Sequence, residues 1–286
     1  MLRKILKPLF YLTVYIVCFL RNLGIWKFPK GIKLSSRNQT TKPSLLQILA
    51  TGVATVLAKK NKNKEYSKDS HELMKNPFLR FHANYSLSHI DLSTPNTYSL
   101  AVDLASVVEL KNKKILCLGS RNLDEIFQLQ LAGADKENIK AIDLYTDIPE
   151  ILAMDFQDLK FEDSSFDIIF WAGSYAYAED PMLALSEAFR VLRPSGIFAL
   201  GDTFLGELTK AKYNKDYSKY MSENMNESLD ELPEGTTLTK GVDSLEEIQE
   251  RVKEFGIEKF LLVRDYVISP HYNLIAKVKN KSMNNK

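Results

Sequence analysis

Cysteine and histidine are scarce in this sequence. Of 286 residues, two are cysteines, Cys18 and Cys117, which exclude a disulfide scaffold and a four-cysteine zinc site. The four histidines are scattered without the spacing of metal ligands: His71, His82, His89 and His271. We therefore expect no metal centre.

Acidic residues are absent from the first 64 positions, which hold thirteen basic residues. The other 222 residues hold 25 basic and 36 acidic residues, so the formal net charge of +2 hides two oppositely charged parts. The pattern predicts a basic arm, residues 1–64, followed by a domain, residues 65–286. That length suits one core of ordinary size, and a hydrophobic content of 45% excludes a wholly disordered chain.

Long apolar runs are also missing: the apolar run near the start of the arm, residues 8–20, has only thirteen residues without a charge. As a helix it would measure about 20 Å, which is short of a hydrocarbon core of about 30 Å. The small residues of a signal-peptide cleavage site do not follow it. Two hypotheses remain open: an uncleaved anchor extended by its apolar neighbours, and a helix that lies in the membrane interface.

A second apolar stretch, residues 44–60, predicts a helix with a stripe formed by Leu45, Leu49, Val53, Val56 and Leu57. This helix either joins the arm in contacting a membrane or packs on the domain. Each basic residue near an anionic lipid surface contributes about 1 kcal/mol, so we expect the arm to bind such a surface. Nucleic acid is not an expected partner, because the arm does not interleave aromatic with basic residues.

Strands and helices alternate in the domain. Short apolar runs predict strands over 113–119, 139–144, 151–155, 165–173 and 196–202, and two closing strands that pair antiparallel. Helices are predicted over 122–133, 180–196 and 244–256. The alternation predicts an α/β, doubly wound, Rossmann-like sheet. Residues 65–110 are expected to cover its open end, and residues 203–242 to form a lid insertion.

Three residues follow the predicted strands, where ligands bind in such folds. Gly119 ends the first strand, where the backbone must turn tightly. Asp143 lies 24 residues later, a spacing that suits a carboxylate accepting the hydroxyls of a ribose. Asp155 ends the third strand and either accepts a hydrogen bond from an adenine amine or serves the turn. Gly119 and Asp143 alone would also suit a nucleotide-dependent oxidoreductase.

Residues 113–202 resemble class I S-adenosylmethionine-dependent methyltransferases, especially the type 11 group. Residues 155–167 follow the family run in which an acid that contacts adenine precedes D-L-P-F-x-D-x-S-F-D, with Lys160 replacing the proline. Residues 190–196 correspond to the family's R-V-L-K-P-G-G turn. The resemblance implies a mainly parallel seven-stranded sheet with an antiparallel last strand, S-adenosylmethionine as cofactor, and methyl transfer. It weighs against the oxidoreductase.

The glycine-rich loop departs from the family pattern. Cys117 replaces the usual acid, and Arg121 and Leu123 replace the second and third glycines. Gly119, Arg121 and Glu125 instead match the Gly-x-Arg-x-x-x-Glu loop of a divergent subgroup. Arg121 either pairs with Glu125 and braces the turn, or meets the carboxylate of the cofactor. The expected cofactor-binding residues are Gly119, Arg121, Asp143, Asp155 and Phe156.

The acceptor side is less defined by the sequence. Tyr177, after the fourth strand, is the candidate catalytic residue, with packing as its alternative role. His82 and His89 precede the first strand and are weaker candidates for a lid over the site. We expect a small-molecule, lipid or lipid-linked glycan acceptor, and a membrane-associated protein whose catalytic domain is cytoplasmic. The alternative hypothesis is a catalytically inactive binding or scaffold module, favoured by the missing glycines.

Overall fold

The computed structural model describes residues 12, 32–33, 41–42, 45–59, 96–144, 146, 148–203, 219, 242, 244–266 and 271–280. Nearly all of the 8–20 run lies outside the described residues. The same is true of His82 and His89, and of most of the proposed lid, residues 203–242. The predictions made for those segments stay predictions.

The described part of the chain alternates strands and helices in the predicted order. The strands are β1 (Ile32–Lys33), β2 (Thr41–Lys42), β3 (Ile115–Leu118), β4 (Ile139–Asp143), β5 (Ile151–Ala153), β6 (Phe166–Ala172), β7 (Leu192–Thr203), β8 (Ile257–Tyr266) and β9 (His271–Val278). The α-helices are α1 (Leu45–Lys59), α2 (Asn96–Val107), α3 (Asp124–Ala132), α4 (Pro181–Val191) and α5 (Leu245–Lys253). Short 3₁₀ helices cover Lys136–Asn138 and Tyr175–Tyr177.

Seven strands form the main sheet, in the order β5-β4-β3-β6-β7-β9-β8. The pairs from β5 to β7 are parallel, whereas β9 runs antiparallel to both β7 and β8. This arrangement confirms the predicted mainly parallel sheet with an antiparallel last strand. The chain moves outward from β3 to β5 and then crosses to β6, so the switch point lies between β3 and β6.

Local capping signals set several helix ends as the sequence predicts. The Asp180 carboxylate accepts hydrogen bonds from two backbone amides in the first turn of α4, where Pro181 is the first residue. Ser244 caps α5 through the amide of Glu247. Gly133 ends α3 with a φ of 105°, a left-handed conformation that glycine adopts without strain.

The end of α4 differs from the prediction. The helix ends at Val191 rather than at Pro194–Gly196, and β7 begins at Leu192, four residues earlier than expected. Leu192 pairs with Phe166 of β6, and this register extends the strand toward the helix. Sheet pairing between residues 26 positions apart therefore decides a boundary that local sequence signals place later.

Two apolar layers cover the faces of the sheet. Residues from α1, α2 and α3 join one cluster with Ile115, Phe127 and Phe170. Residues from α4 and α5 join the other cluster with Trp171 and Phe198. Helices on both faces of the sheet make a doubly wound architecture.

Helix α1 packs on α3, which is the alternative that the sequence left open. Its buried face contains Ala50, Ala54 and Leu57. Thr51 Oγ1 donates a hydrogen bond of 3.0 Å to Asp124 Oδ1, and Gln128 Nε2 donates one of 3.1 Å to the Gln47 carbonyl.

The predicted stripe on α1 is therefore split between two faces. Leu45, Ile48 and Leu49 are exposed, whereas Leu57 is buried and Val53 packs against the core. Among the described residues, no helix is both long and apolar enough to cross a bilayer.

Candidate functional site

The loop that follows β3 passes very close to the loop that follows β6. Gly119 has a φ of +71°, and a Cβ added there would overlap the Ser174 hydroxyl. Ser174 Oγ donates a hydrogen bond to the Leu118 carbonyl at 3.1 Å and accepts one from Trp171 Nε1 at 2.9 Å. Position 119 thus requires glycine for both its conformation and its space.

Asp143 lies at the end of β4, next to the Gly119 loop. The Ser120 amide donates to the Ile142 carbonyl at 2.8 Å, which holds the loop against β4. The Asp143 side chain is 2% exposed, and its Oδ2 lies 3.3 Å from Arg121 Nε. The structure therefore brings Gly119, Arg121 and Asp143 together at the switch point, where a nucleotide ligand binds in such folds.

Glu125 does not brace Arg121, which was one of the two roles considered for that pair. Its Oε1 instead accepts a hydrogen bond of 3.4 Å from Thr97 Oγ1 of α2. Its Oε2 is buried and has no hydrogen-bond partner among the described residues. Burial, together with the neighbouring Asp124 carboxylate, raises the pKa of Glu125 to about 8.

Asp124 is also buried, but both polar neighbours of its carboxylate are identified. Its Oδ1 accepts hydrogen bonds from Thr51 Oγ1 at 3.0 Å and from Gln128 Nε2 at 3.1 Å. Burial raises the pKa of Asp124 to about 6, and these two hydrogen bonds oppose the rise. Asp124 thus ties α1 to α3.

Asp155 and Phe156 lie beyond the end of β5. Asp155 Oδ1 accepts a hydrogen bond of 2.8 Å from the Gln157 amide. This contact stabilises the turn, which is the alternative to adenine binding for Asp155. Phe156 is buried, with its ring centre 5.1 Å from that of Trp171. Its Cε1 is 3.9 Å from the Cβ position of Gly119, so Phe156 forms an apolar wall against the loop.

The aromatic residues after β6 differ in environment. Tyr177 is half-buried at the end of its 3₁₀ helix, so its role on the acceptor side stays a prediction. Tyr175 is fully buried, and its hydroxyl accepts a hydrogen bond of 2.9 Å from Arg251 Nη1. Asp202, near the end of β7, accepts the Ala176 amide at 3.1 Å. Tyr175 and Asp202 therefore fix the loop that carries Tyr177.

Sequence reasoning missed the ion pair between Arg121 and Asp143. The two residues are 22 positions apart, and the only signal was an arginine at a position where the family has glycine. It also missed that Thr97 reaches Glu125 from α2. Neither contact follows from a local pattern.

The residues at the switch point fit an adenosyl cofactor that carries an amino acid. Asp143 offers a buried acceptor of the kind that ribose hydroxyls require, and Phe156 offers an apolar surface. Glu125 supplies an unused buried carboxylate oxygen. Within the described ranges, no group of three or more histidine, cysteine, aspartate and glutamate side chains is placed to hold a metal ion.

Comparison with known proteins points to the same cofactor. A family model described as a methyltransferase domain matches residues 123–200. The ubiquinone/menaquinone biosynthesis C-methyltransferase UbiE of Rickettsia bellii (strain RML369-C) is 27% identical over 199 residues, covering 66% of this chain and 75% of that protein. The enzyme of the same name from Rickettsia prowazekii is 29% identical over 167 residues, covering 58% and 62%.

Solved structures are similar at lower identity. A 1,6-didemethyltoxoflavin-N1-methyltransferase of Burkholderia thailandensis, bound to 1,6-didemethyltoxoflavin and S-adenosylhomocysteine, is 14% identical with a TM-score of 0.49. The match covers 76% of this chain and 93% of that one. A SAM-dependent methyltransferase from Aquifex aeolicus is 15% identical with a TM-score of 0.44, covering 68% and 98%.

The matched segment begins just before α3, after Gly119 and Arg121, and ends in β7, so it contains Asp143, the strands β4, β5 and β6, and part of β7. The strand order and the reversed β9 agree with the arrangement that the sequence resemblance implies. Residues 123–200 therefore match a methyltransferase domain within a sheet of the expected strand order, and the residues at the switch point fit S-adenosylmethionine as its cofactor.

Proposed function

We propose that this protein transfers the methyl group of S-adenosylmethionine to a small, lipophilic acceptor at an anionic membrane surface. The observation that carries the proposal is the outward face of α1, where Leu45, Ile48 and Leu49 are 73%, 40% and 51% exposed. Exposed apolar side chains that lie together on one helix are typical of interaction sites.

Helix α1 connects this apolar face to the cofactor site. Its inner face contacts Asp124 and Gln128 of α3, and the first turn of α3 also contains Glu125. A surface that binds the outer face of α1 is therefore separated from the cofactor loop by one layer of helices. An acceptor dissolved in that surface would have a short path to the domain.

The sequence around α1 supports a membrane as the surface. No acid occurs in residues 1–64, and thirteen basic residues lie there, each worth about 1 kcal/mol of attraction when close to anionic lipid. The apolar run at 8–20 belongs to the same part of the chain. The Rickettsia relatives are C-methyltransferases of ubiquinone/menaquinone biosynthesis, which supports a lipophilic acceptor.

Methyl transfer requires mainly that the protein position the cofactor and the acceptor. The methyl group leaves the sulfonium as the acceptor atom attacks in line, so the protein accelerates the step by holding both reactants. A base is required only where the acceptor loses a proton, and Tyr177 is the residue we propose on the acceptor side.

Flotation with liposomes tests the membrane part of the proposal. The full-length protein is expected to float with phosphatidylcholine vesicles that contain phosphatidylglycerol and to stay at the bottom without it. A Leu45→Glu/Leu49→Glu variant should float markedly less. Leu183→Glu is the matched control, because Leu183 is also exposed but lies on α4, whose buried residues belong to the other apolar layer. Equal flotation of both variants would contradict the role of α1.

Transfer of a tritiated methyl group tests the acceptor class. The protein is incubated with labelled S-adenosylmethionine and a membrane extract, and label is counted after partition between organic and aqueous phases. Label is expected in the organic phase and should be lost with Asp143→Ala. Label confined to the aqueous phase would refute a lipophilic acceptor. Cofactor binding with no transfer to either phase would favour the scaffold alternative.

A further inference from the structure

Glu125 is a buried acid whose hydrogen-bonding capacity is only half used. It is 8% exposed, Oε1 accepts a 3.4 Å hydrogen bond from Thr97, and Oε2 has no partner among the described residues. A buried carboxylate oxygen that lacks a donor costs free energy, and a ligand that supplies the donor removes that cost.

Its position places it beside the cofactor loop. Glu125 lies in the first turn of α3, immediately after the loop that contains Gly119 and Arg121, and it contacts the first turn of α2 through Thr97. The charge of Asp143 acts on Glu125, and the charge of Glu125 acts on the Cys117 thiol in β3. Glu125 is therefore near the carboxyl ends of both β3 and β4.

Acidic side chains outnumber basic ones at this point. Three carboxylates, those of Asp124, Glu125 and Asp143, are buried together. The ion pair that the structure shows here is between Arg121 and Asp143, whereas Asp124 is held by the neutral donors Thr51 and Gln128. The donors to Glu125 are neutral, namely the Thr97 hydroxyl and a backbone amide, so a ligand cation would balance its charge when it is ionised.

The cofactor offers two cationic groups, but only one of them donates hydrogen bonds. The sulfonium has no proton to give, whereas the ammonium of the amino acid end has three. We infer that Glu125 binds the ammonium group of S-adenosylmethionine through Oε2, so that it positions the amino acid end of the cofactor above β3. This inference rests on the cofactor assignment and extends it to a residue outside the ribose contact.

The environment of Glu125 agrees with this role. Burial and the nearby Asp124 raise the pKa of Glu125 to about 8, so the free protein holds a proton there near neutral pH. A cation bound at Oε2 favours the charged carboxylate, and its binding is then accompanied by loss of that proton. A charge-assisted hydrogen bond of this kind is about twice as strong as a neutral one.

Three ligands separate the ammonium contact from all other contacts. S-Adenosylhomocysteine has the ammonium and the carboxylate, decarboxylated S-adenosylmethionine has the ammonium and the sulfonium but no carboxylate, and 5′-methylthioadenosine has none of these groups. Their dissociation constants are measured by calorimetry on the full-length protein and on Glu125→Gln. The variant is expected to bind the first two ligands at least tenfold more weakly and 5′-methylthioadenosine within twofold of the wild type.

Asp124→Asn is the matched control, because Asp124 is the neighbouring buried acid and has donors of its own. It should not weaken the two ammonium ligands relative to 5′-methylthioadenosine, because loss of the Asp124 charge lowers the pKa of Glu125 and favours its ionised form. An equal loss for all three ligands in Glu125→Gln, or no loss for any, would overturn the inference. The same ratio change in Asp124→Asn would overturn it too, since a diffuse field rather than one contact would then be responsible. Failure of the wild type to bind even 5′-methylthioadenosine would refute the cofactor site itself, a result distinct from the failure of the ammonium contact.

Discussion

Helix α2 takes part in two buried polar clusters that differ in how completely their acids are paired. In the Asp103 cluster, formed by Ser99, Asp103, Arg264 and Asn273, each oxygen of Asp103 has a donor at 2.8 Å. In the Glu125 cluster, formed by Thr97, Arg121, Asp124, Glu125 and Asp143, one oxygen of Glu125 has none among the described residues. Helix α2 thus contacts one acid whose two oxygens both have donors and one acid with an unpaired oxygen.

The difference separates architecture from ligand binding. The donors to Asp103 come from β8 and β9, so that cluster fastens α2 to the antiparallel end of the sheet. The Glu125 cluster lies at the switch point between parallel strands, where a ligand completes what the protein leaves open. An acid whose two oxygens both have donors is typical of a structural network, whereas an acid with an unpaired oxygen beside the strand ends is a candidate for binding a ligand.

The largest expected effect is a loss of stability on removing the acid of the Asp103 cluster. Asp103→Ala should lower the free energy of unfolding by about 3 kcal/mol, because it leaves Arg264 and Asn273 without their buried acceptor. Urea unfolding followed by circular dichroism measures the loss. The control, Asp265→Ala, removes an exposed acid from β8 and should change stability by less than about 0.5 kcal/mol. Equal stability of the two variants would show that the Asp103 cluster does not stabilise the packing of α2 on the sheet.

The second effect is the dependence of stability on pH, and it arises in the Glu125 cluster. The pKa of Glu125 is raised from 4.5 to about 8 by burial and by Asp124 and Asp143. The folded state therefore holds the proton more tightly than the unfolded state. The stability that this provides is complete below 4.5 and is lost as the pH rises through about 8.

Glu125→Gln removes this dependence. Between about pH 5 and about pH 9, the variant should gain on the order of 3 kcal/mol in free energy of unfolding relative to the wild type, measured by urea unfolding at several pH values. Glu246→Gln, at an exposed position on α5, should show no such gain. If the wild type and Glu125→Gln keep a constant difference, Glu125 is already ionised in the free protein, and the cluster contains a cation not yet identified.

Much of the fold was predictable because its signals are local. The Asp180–Pro181 start of α4, the Gly133 end of α3 and the buried apolar strands each depend on a few adjacent residues. The end of α4 could not be predicted from local signals, because the pairing of Leu192 with Phe166 is a contact between residues distant in the sequence. The buried face of α1 was also not predictable, since small and polar residues, Thr51 and Ala54 among them, pack against α3 in place of its leucines.

The residues of the candidate site also differ in whether the sequence could predict their roles. The sequence predicted roles for Gly119 and Asp143 because strand ends meet at one edge of a parallel sheet, and the structure brings these two residues together. It left the partner of Arg121 undecided, and that partner lies 22 residues away on another strand. The burial of Glu125 depends on α2, so no pattern within the loop reveals it.

A third effect is on ligand affinity and concerns Asp143, the proposed ribose acceptor of the Glu125 cluster. Asp143→Ala should weaken S-adenosylhomocysteine and 5′-methylthioadenosine by about tenfold each, since both ligands carry the same ribose and lose the same acceptor. Calorimetry on the full-length protein measures both. Asp158→Ala removes an exposed acid from the turn after β5 and should leave both affinities unchanged. Loss for S-adenosylhomocysteine alone would move Asp143 from the ribose to the amino acid end.

The smallest effect tests whether Arg121 is a rival of the cofactor or its partner. Arg121 meets Asp143 through Nε at 3.3 Å, longer than the 2.7–2.9 Å usual for charged pairs, so the contact exchanges at low cost. We expect Arg121 to turn to the cofactor's carboxylate when ribose occupies Asp143. Arg121→Ala should then weaken S-adenosylhomocysteine about threefold and leave decarboxylated S-adenosylmethionine unchanged, whereas Arg121→Lys should weaken S-adenosylhomocysteine less. Tighter binding of both ligands by Arg121→Ala would show the opposite, namely that Arg121 competes with ribose for Asp143 and that the missing glycine lowers cofactor affinity.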